Sequence, residues 1–305
     1  MIVLMKKILL LFLSFVLLNV FAQNDYFKVK EDTFKYDSFA IMDDKYDRYD
    51  GNDESMALIK ISTMNINEAE CSMQNEVVTV NGVSFTMIAV EGGTFQMGAT
   101  SEQGSDADND ESPVHSITLS DYYIGETEVT QELWETVMGS NPSNFKGSQK
   151  PVEQVSWNDC KQFITKLNQL TGKNFRLPTE AELEYAARGG NKSQGYKYSG
   201  NNTIDDVAWY KDNSNSKTHN VKTKSPNELG IYDMSGNVWE WCEDWYGNYS
   251  SDSLTNPTGP SSGYSRVLRG GCWYYNARYS RVSSRNSSIP AYRLANCGLR
   301  LAISH

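Results

Sequence analysis

The chain has 305 residues, 39 % hydrophobic and 12 % aromatic, with seven Trp and eighteen Tyr, which supports a sizeable aromatic core and excludes a disordered chain. Its 28 basic and 38 acidic side chains give a net charge of −10. That balance argues against a nucleic-acid partner, whose phosphates are held largely by Lys and Arg.

Residues 1–22 read as an export signal. Lys6 and Lys7 precede the apolar run 8–18, and Val20-Phe21-Ala22 supplies the cleavage positions. The run is short for a membrane span and no other stretch is apolar enough, so no span is expected in the mature chain. The expected location is periplasmic, cell-surface or secreted. Residues 23–80 differ in material: 24–54 is crowded with Asp, Lys and Tyr, while 57–61 and 77–80 read as short strands. This is a small β-rich appendage or linker.

A domain is expected over 81–305. Residues 85–90 form a strand, and Glu91-Gly92-Gly93-Thr94-Phe95-Gln96-Met97-Gly98 a turn and a second strand. Residues 101–111 are acidic. Asp106, Asp108 and Asp110 suggest a calcium loop, but its turn glycine and closing Glu are missing, so a solvated loop is expected. Strands follow at 113–119 and 122–129. Thr130 can cap a helix over 131–138. Ser156 can cap a longer one, with Trp157, Cys160, Phe163, Ile164, Leu167 and Leu170 at helical spacing and Gly172 as its stop. Thr179 and Glu182 form a capping box for a third helix, which Gly189-Gly190 ends. Long Asn/Ser/Gly-rich loops with short strands fill the rest.

The five cysteines are Cys71, Cys160, Cys242, Cys272 and Cys297; an odd count in an exported chain leaves at least one thiol free or intermolecular. Cys160 and Cys242 read as small buried residues. Pairing of Cys272 with Cys297 is open. No Cys-x-x-Cys occurs, and His115, His219 and His305 are the only histidines, so zinc is not indicated.

Several motifs occur together and in order. They are Gly92 to Gly98 as spelled out above, Glu128-Val129-Thr130, Pro151-Val152-Glu153-Gln154-Val155-Ser156-Trp157 and Phe175-Arg176-Leu177-Pro178-Thr179-Glu180-Ala181-Glu182. Tyr232-Asp233-Met234-Ser235-Gly236-Asn237-Val238-Trp239-Glu240-Trp241, Arg269-Gly270-Gly271 and Gly298-Leu299-Arg300 complete the set. From residue 83 onward the chain resembles the formylglycine-generating enzyme (sulfatase-modifying factor) family. The resemblance implies a C-type-lectin-like α+β fold, loop-rich with short strands and a few helices. Fold alone does not supply function.

The closing segment has a frame: Arg269, Gly270, Gly271, Trp273, Arg278, Arg281, Val282, Arg285, Pro290, Arg293, Gly298, Leu299 and Arg300. Residues 272–297 contain no Lys, Gln, Glu, Met, Asp or Gly. Randomising the first two bases of pyrimidine-ending Asn codons yields Tyr, Ser, Ala, Ile, Leu, Cys and Arg, but never Lys, Gln, Glu, Met or Trp. In this the segment resembles the variable regions of proteins diversified by retroelements, which are carried on scaffolds of this family. The resemblance implies a ligand-binding surface of Tyr274, Tyr275, Asn276, Tyr279, Ser284, Ser287, Ser288, Ile289, Ala291, Tyr292, Leu294, Ala295, Asn296 and Cys297, with Cys272, Ser280 and Asn286 as possible additions. Tyr supplies stiff contact area, and Ser and Asn adaptable hydrogen bonds. The same composition also suits an ordinary polar loop.

Oxidising members of the family hold copper through two cysteines five positions apart, because soft thiolates suit Cu(I). Alignment on Gly270-Gly271 puts those positions at Tyr275 and Ser280, and nearby Cys272 alone does not make a two-thiolate site. No copper and no formylglycine-generating activity are therefore expected. Three scattered histidines also argue against the iron-dependent branch. The resemblance implies a structural calcium ion at the side chains of Asp233 and Glu240 and the carbonyls of Gly236 and Val238; the alternative is that those side chains only tie loop backbone. The leading expectation is a non-enzymatic binder of a protein or glycan on a cell or phage surface. A modifying oxidase with a relocated site, or a surface-assembly component docked through 23–80, are the other readings.

Overall fold

The computed structural model describes residues 73–305. The export signal, Cys71 and most of the 23–80 segment lie outside the described residues.

Strands β1 (Glu76–Val80) and β2 (Val83–Val90) form a hairpin. Asn81 and Gly82 at its tip both take positive φ, as a two-residue turn matched to strand twist requires. Residues 77–80 therefore belong to the main domain's sheet, and the domain begins before residue 81. β2 pairs with β5 (Tyr122–Gly125), β5 with β12 (Ala302–Ser304), and β12 with β6 (Phe175–Arg176), all antiparallel. The order β1-β2-β5-β12-β6 sets a strand from beyond the closing segment inside the sheet that opens the domain.

A second sheet has the order β10 (Arg285–Ser288), β9 (Arg266–Arg269), β7 (Trp239–Trp245), β11 (Cys297–Gly298). A third joins β3 (Gly93–Met97), β4 (His115–Leu119) and β8 (Leu254–Thr255). With few helices among short strands and long loops, the α+β expectation holds.

Helix α1 (Gln131–Met138) starts where the Thr130 hydroxyl accepts from the Leu133 amide, and ends at left-handed Gly139. Helix α2 (Trp157–Thr171) opens on a reciprocal Ser156–Asp159 box and ends at left-handed Gly172. Helix α3 (Glu180–Ala187) opens on the Thr179–Glu182 box. Alternation along β2 sends Met87 into one apolar cluster and Ile88 into another. The first packs α1 and α2 with Trp239, Trp241 and Leu299, and includes Trp134 stacked on Phe163 at 4.9 Å. The second gathers Ile88, Ile117, Ile124, Leu183 and Val267.

Three elements depart from expectation. β5 stops at Gly125 because the chain leaves the sheet there: Glu128 turns inward and the Val129 amide donates to Leu299. β4 starts at His115, not at residue 113. The acidic 101–111 segment folds into 3-10 turns at Ser101–Asp106 and Asn109–Glu111, and Gln103 and Glu111 are buried rather than solvated. Every residue of α3 is buried, its three glutamates included, so each carboxylate must find a partner.

Candidate functional site

Arg176 pairs with Glu182 at 2.6 Å, and arginines of the closing segment partner the other two α3 glutamates. Arg285 meets Glu180 at 2.6 and 2.8 Å, and Arg269 pairs with Glu184. Arg281 reaches Glu111 at 2.8 Å, and Arg300 reaches Glu240 at 2.7 Å. Burial raises the Glu180 carboxyl, but Arg285 and Arg269 outweigh it and hold the group below its ordinary value.

The same guanidinium groups fix the loop backbone. Arg269 donates to the carbonyls of Val282, Ser283 and Ser284 at 3.2, 2.6 and 2.6 Å. Arg281 donates to the Arg278 carbonyl at 2.7 Å, and the Trp273 indole to the Ala295 carbonyl at 2.9 Å. Arg278 pairs with Asp108, and Arg293 with Asp159 at 2.6 and 2.7 Å. All but the neutral Trp273 bond are charge-assisted, and all come from frame side chains.

The side chains between them divide by position. Tyr274 is 59 % exposed, Tyr292 53 %, Leu294 37 % and Tyr275 36 %. Asn276 and Ala291 are also exposed, while Tyr279, Ser287, Ser288, Ile289, Ala295 and Asn296 are half-buried. Ser284 and Cys297 are buried and stand outside the exposed set, as do Cys272 and Ser280; Asn286 is half-buried. Ser284 precedes Arg285, which turns in to Glu180, and Cys297 pairs with Trp239 as β11 meets β7 in the core. Four of the nine exposed large apolar side chains among the described residues fall in this segment, which makes it a concentrated patch.

Trp273, Tyr274, Tyr275 and Tyr279 meet edge-on in sequence, with ring centres 5.4, 5.5 and 5.3 Å apart. With Lys211, Ser216 and Asn276 they line a depression of about 360 Å³. Phe145 meets the Trp273 ring edge-on at 5.2 Å. The Trp273–Ala295 bond ties this depression to the stretch that follows the turn at 289–292, where the Tyr292 amide donates to the Ile289 carbonyl. Lys211, Ser216 and Phe145 escape sequence reasoning, because only the tertiary fold brings their loops here. Alanine at Tyr274 and Tyr292 is expected to change stability by no more than about 0.5 kcal/mol, since neither ring is buried. Urea midpoints of the two variants check this; a larger loss would mean the rings support the scaffold.

Tyr275 faces the depression, and Ser280 is buried with its hydroxyl unpartnered, so neither position carries a thiol. Cys160, Cys242, Cys272 and Cys297 are buried and free of disulfides. The Asn296 amide bridges two of them, donating to Cys272 Sγ and accepting from the Cys297 thiol, both at 3.6 Å. Burial pushes the Cys272 thiol up to about 11, which disfavours the thiolate.

At the positions implied for calcium, Asp233 is buried at positive φ and accepts from the Lys222 amide at 2.9 Å. Gly236 shares the turn at φ 84°, and the Val238 amide donates to Glu128 at 3.1 Å. Both Glu240 oxygens accept from Arg300. Burial, then the Asp233 and Glu240 charges, push Glu128 well above its ordinary value, and burial pushes Asp233 up to about 6. Among the described residues, no three His, Cys, Asp or Glu side chains are arranged as a metal-ligand group. The buried carboxylates of Glu128, Asp233 and Glu240 all sense the Arg300 guanidinium, which lowers each of them.

Residues 74–305 match the family described as the sulfatase-modifying factor enzyme 1-like domain. The chain is 30 % identical over 284 residues to the formylglycine-generating enzyme of Streptomyces coelicolor, covering 70 % of this chain and 88 % of the enzyme. It is 36 % identical over 251 residues to chaperone protein LppX of Paenibacillus barcinonensis, covering 66 % and 83 %. Treponema denticola variable protein 1 superposes with a TM-score of 0.70 at 37 % identity, over 76 % of this chain and 100 % of that one. PvdO from Pseudomonas aeruginosa superposes with a TM-score of 0.62 at 26 % identity, over 75 % and 98 %. The shared architecture is the C-type-lectin-like fold.

Proposed function

The chain belongs to the sulfatase-modifying factor enzyme 1-like family, and from that premise we propose that it is an exported, non-enzymatic ligand-binding protein. Its closing segment presents a variable surface to a protein or glycan on a cell or phage. The observation that carries this reading is the division of labour within 272–297. Frame side chains hold the backbone through carbonyls and buried carboxylates, while Tyr274, Tyr275, Tyr292 and Leu294 stand exposed. Changes at the exposed positions then alter the partner and leave the support intact. The likeness to Treponema denticola variable protein 1 supports the same reading.

The test lies in the DNA around the gene. A near-copy of the codons for 266–305, differing chiefly where the copy carries adenine and lying near a reverse-transcriptase gene, is the expected finding. Absence of any copy would remove the basis for calling the surface variable.

The likeness to the Streptomyces coelicolor enzyme favours a second reading, a formylglycine-generating oxidase. Tyr275 and Ser280 weigh against it, since neither side chain supplies a thiolate for copper. Incubation of the reduced protein with copper and a Cys-x-Pro-x-Arg peptide is expected to leave the cysteine unchanged. Aldehyde formation by mass spectrometry would reverse the assignment.

A calcium ion held by Asp233, Gly236, Val238 and Glu240 is part of the proposal, as a brace for loop backbone. Three buried carboxylates sharing Arg300 support it, because a divalent cation offsets the excess charge. The engagement of Glu240 by Arg300 limits how that carboxylate can contribute. Chelation is expected to lower the melting temperature and added calcium to restore it; an unchanged melting curve would dismiss the ion.

A further inference from the structure

We infer that the ligand taken by this surface is an acidic polypeptide segment, drawn to unpaired lysines around the tyrosine depression. The inference rests on the ligand-binding reading and adds the sign of the partner's charge.

Lys211 lines the depression, and Lys217 follows Ser216, which also lines it. On the other side, Lys150 Nζ lies 5.9 Å from the centre of Phe145, the ring that meets Trp273. Lys146 follows Phe145 and is exposed, its ammonium held at 2.7 Å only by the Asn141 carbonyl. Among the described residues none of these four lysines forms a salt bridge, whereas Lys161, Lys173, Lys197 and Lys222 each pair with a carboxylate. Burial first, and then repulsion from Lys217, lower the Lys150 ammonium.

Three acids lie nearby, the first being Asp205, which accepts from the Asn213 side-chain amide at 3.1 Å. Asp212 is exposed beside Lys211. Glu153 is buried and accepts from the Phe145 amide at 2.7 Å, and burial raises its carboxyl above the ordinary value. They leave a local cationic excess on a chain whose net charge is −10. A patch of opposite sign on such a chain steers an acidic partner to one place and orients it.

The apolar contacts favour a polypeptide. Trp273, Tyr274, Tyr275 and Tyr279 line the depression itself, and exposed Leu294 precedes Ala295, whose carbonyl accepts from the Trp273 indole; these apolar groups suit side chains that a polyanionic sugar lacks.

The experiment uses the full chain and a fluorescent decapeptide of alternating glutamate and leucine, read by anisotropy beside its glutamine counterpart. The glutamate peptide is expected to bind at least about tenfold more tightly, and added salt to erase the difference. Reversal to Lys211→Glu with Lys217→Glu removes the preference; the same reversal at exposed Lys166 and Lys192 leaves it. Equal binding of both peptides, or equal loss at the control sites, overturns the inference. If both peptides bind equally and both are lost on Tyr274→Ala with Tyr275→Ala, the ligand surface stands and only its charge preference falls. Binding of a heparin fragment in place of the glutamate peptide, lost with the same lysines, overturns the polypeptide assignment.

Discussion

Arg281→Ala is expected to cost about 3–5 kcal/mol of stability, the usual penalty for stranding one member of a buried ion pair. Neither side chain of the Arg281–Glu111 pair is exposed. Glu111 also accepts from the Ser283 hydroxyl at 2.5 Å and from the Asp108 amide at 3.0 Å, and Arg281 also reaches the Arg278 carbonyl. Without the guanidinium, a carboxylate remains in a dry site with too few donors. Urea denaturation of the single and double variants measures this. Arg281→Met with Glu111→Leu should recover much of the loss, because apolar groups of similar volume often replace a buried pair. A loss below about 1 kcal/mol in the single variant would place the pair in water.

The pair has a pH signature. Burial raises the Glu111 carboxyl, but hydrogen bonds from Arg281 and Ser283 more than offset this, and the folded value lies below the ordinary 4.5. A depressed folded value means the folded state releases its proton more readily than the unfolded one. The contribution is therefore complete above the unfolded value and is lost as pH falls through the folded one. Glu180 follows the same rule. Acid should unfold the parent protein in this range, and the Arg281→Ala variant should show a shallower dependence there.

Gly271→Ala carries the second large effect. Gly271 has φ +80°, and an added Cβ would lie 2.5 Å from Ser280 Oγ and 2.7 Å from the Tyr279 carbonyl. The left-handed backbone costs a Cβ about 1–2 kcal/mol, and forced overpacking about 1–3 kcal/mol more. Because the collision is with backbone of 279–280, the variant should also displace Tyr279 from Tyr275, seen as a changed near-ultraviolet circular dichroism signal. A variant with parental stability and an unchanged spectrum would refute the close approach.

The helix starts were legible because capping is local: Thr130, Ser156 and Thr179 each bond an amide three residues on. The membership of β1 was written in Asn81-Gly82, a hairpin signal that outweighs the change of composition near residue 83. The exposed tyrosines were legible as a compositional filter. The burial of Ser284 and Cys297 was not, because it depends on β10 and β11 pairing with β9 and β7, contacts between segments far apart in sequence. The same limit hid Glu111: an acidic run reads as solvated until an arginine 170 residues away is known to enter it.

The placement of β12 between β5 and β6 makes the fold a proofreader of its own message. A frameshift or stop codon anywhere in 272–297 deletes or scrambles the strand that follows, and β5 and β6 then lose their common neighbour. Such a product has an open seam inside its first sheet and lacks Leu299 and Leu301, which leaves Met87 without a closed core and marks the chain for proteolysis. Missense changes at the exposed positions leave that seam shut. The architecture thus separates errors of reading frame, which it rejects, from changes of residue, which it tolerates.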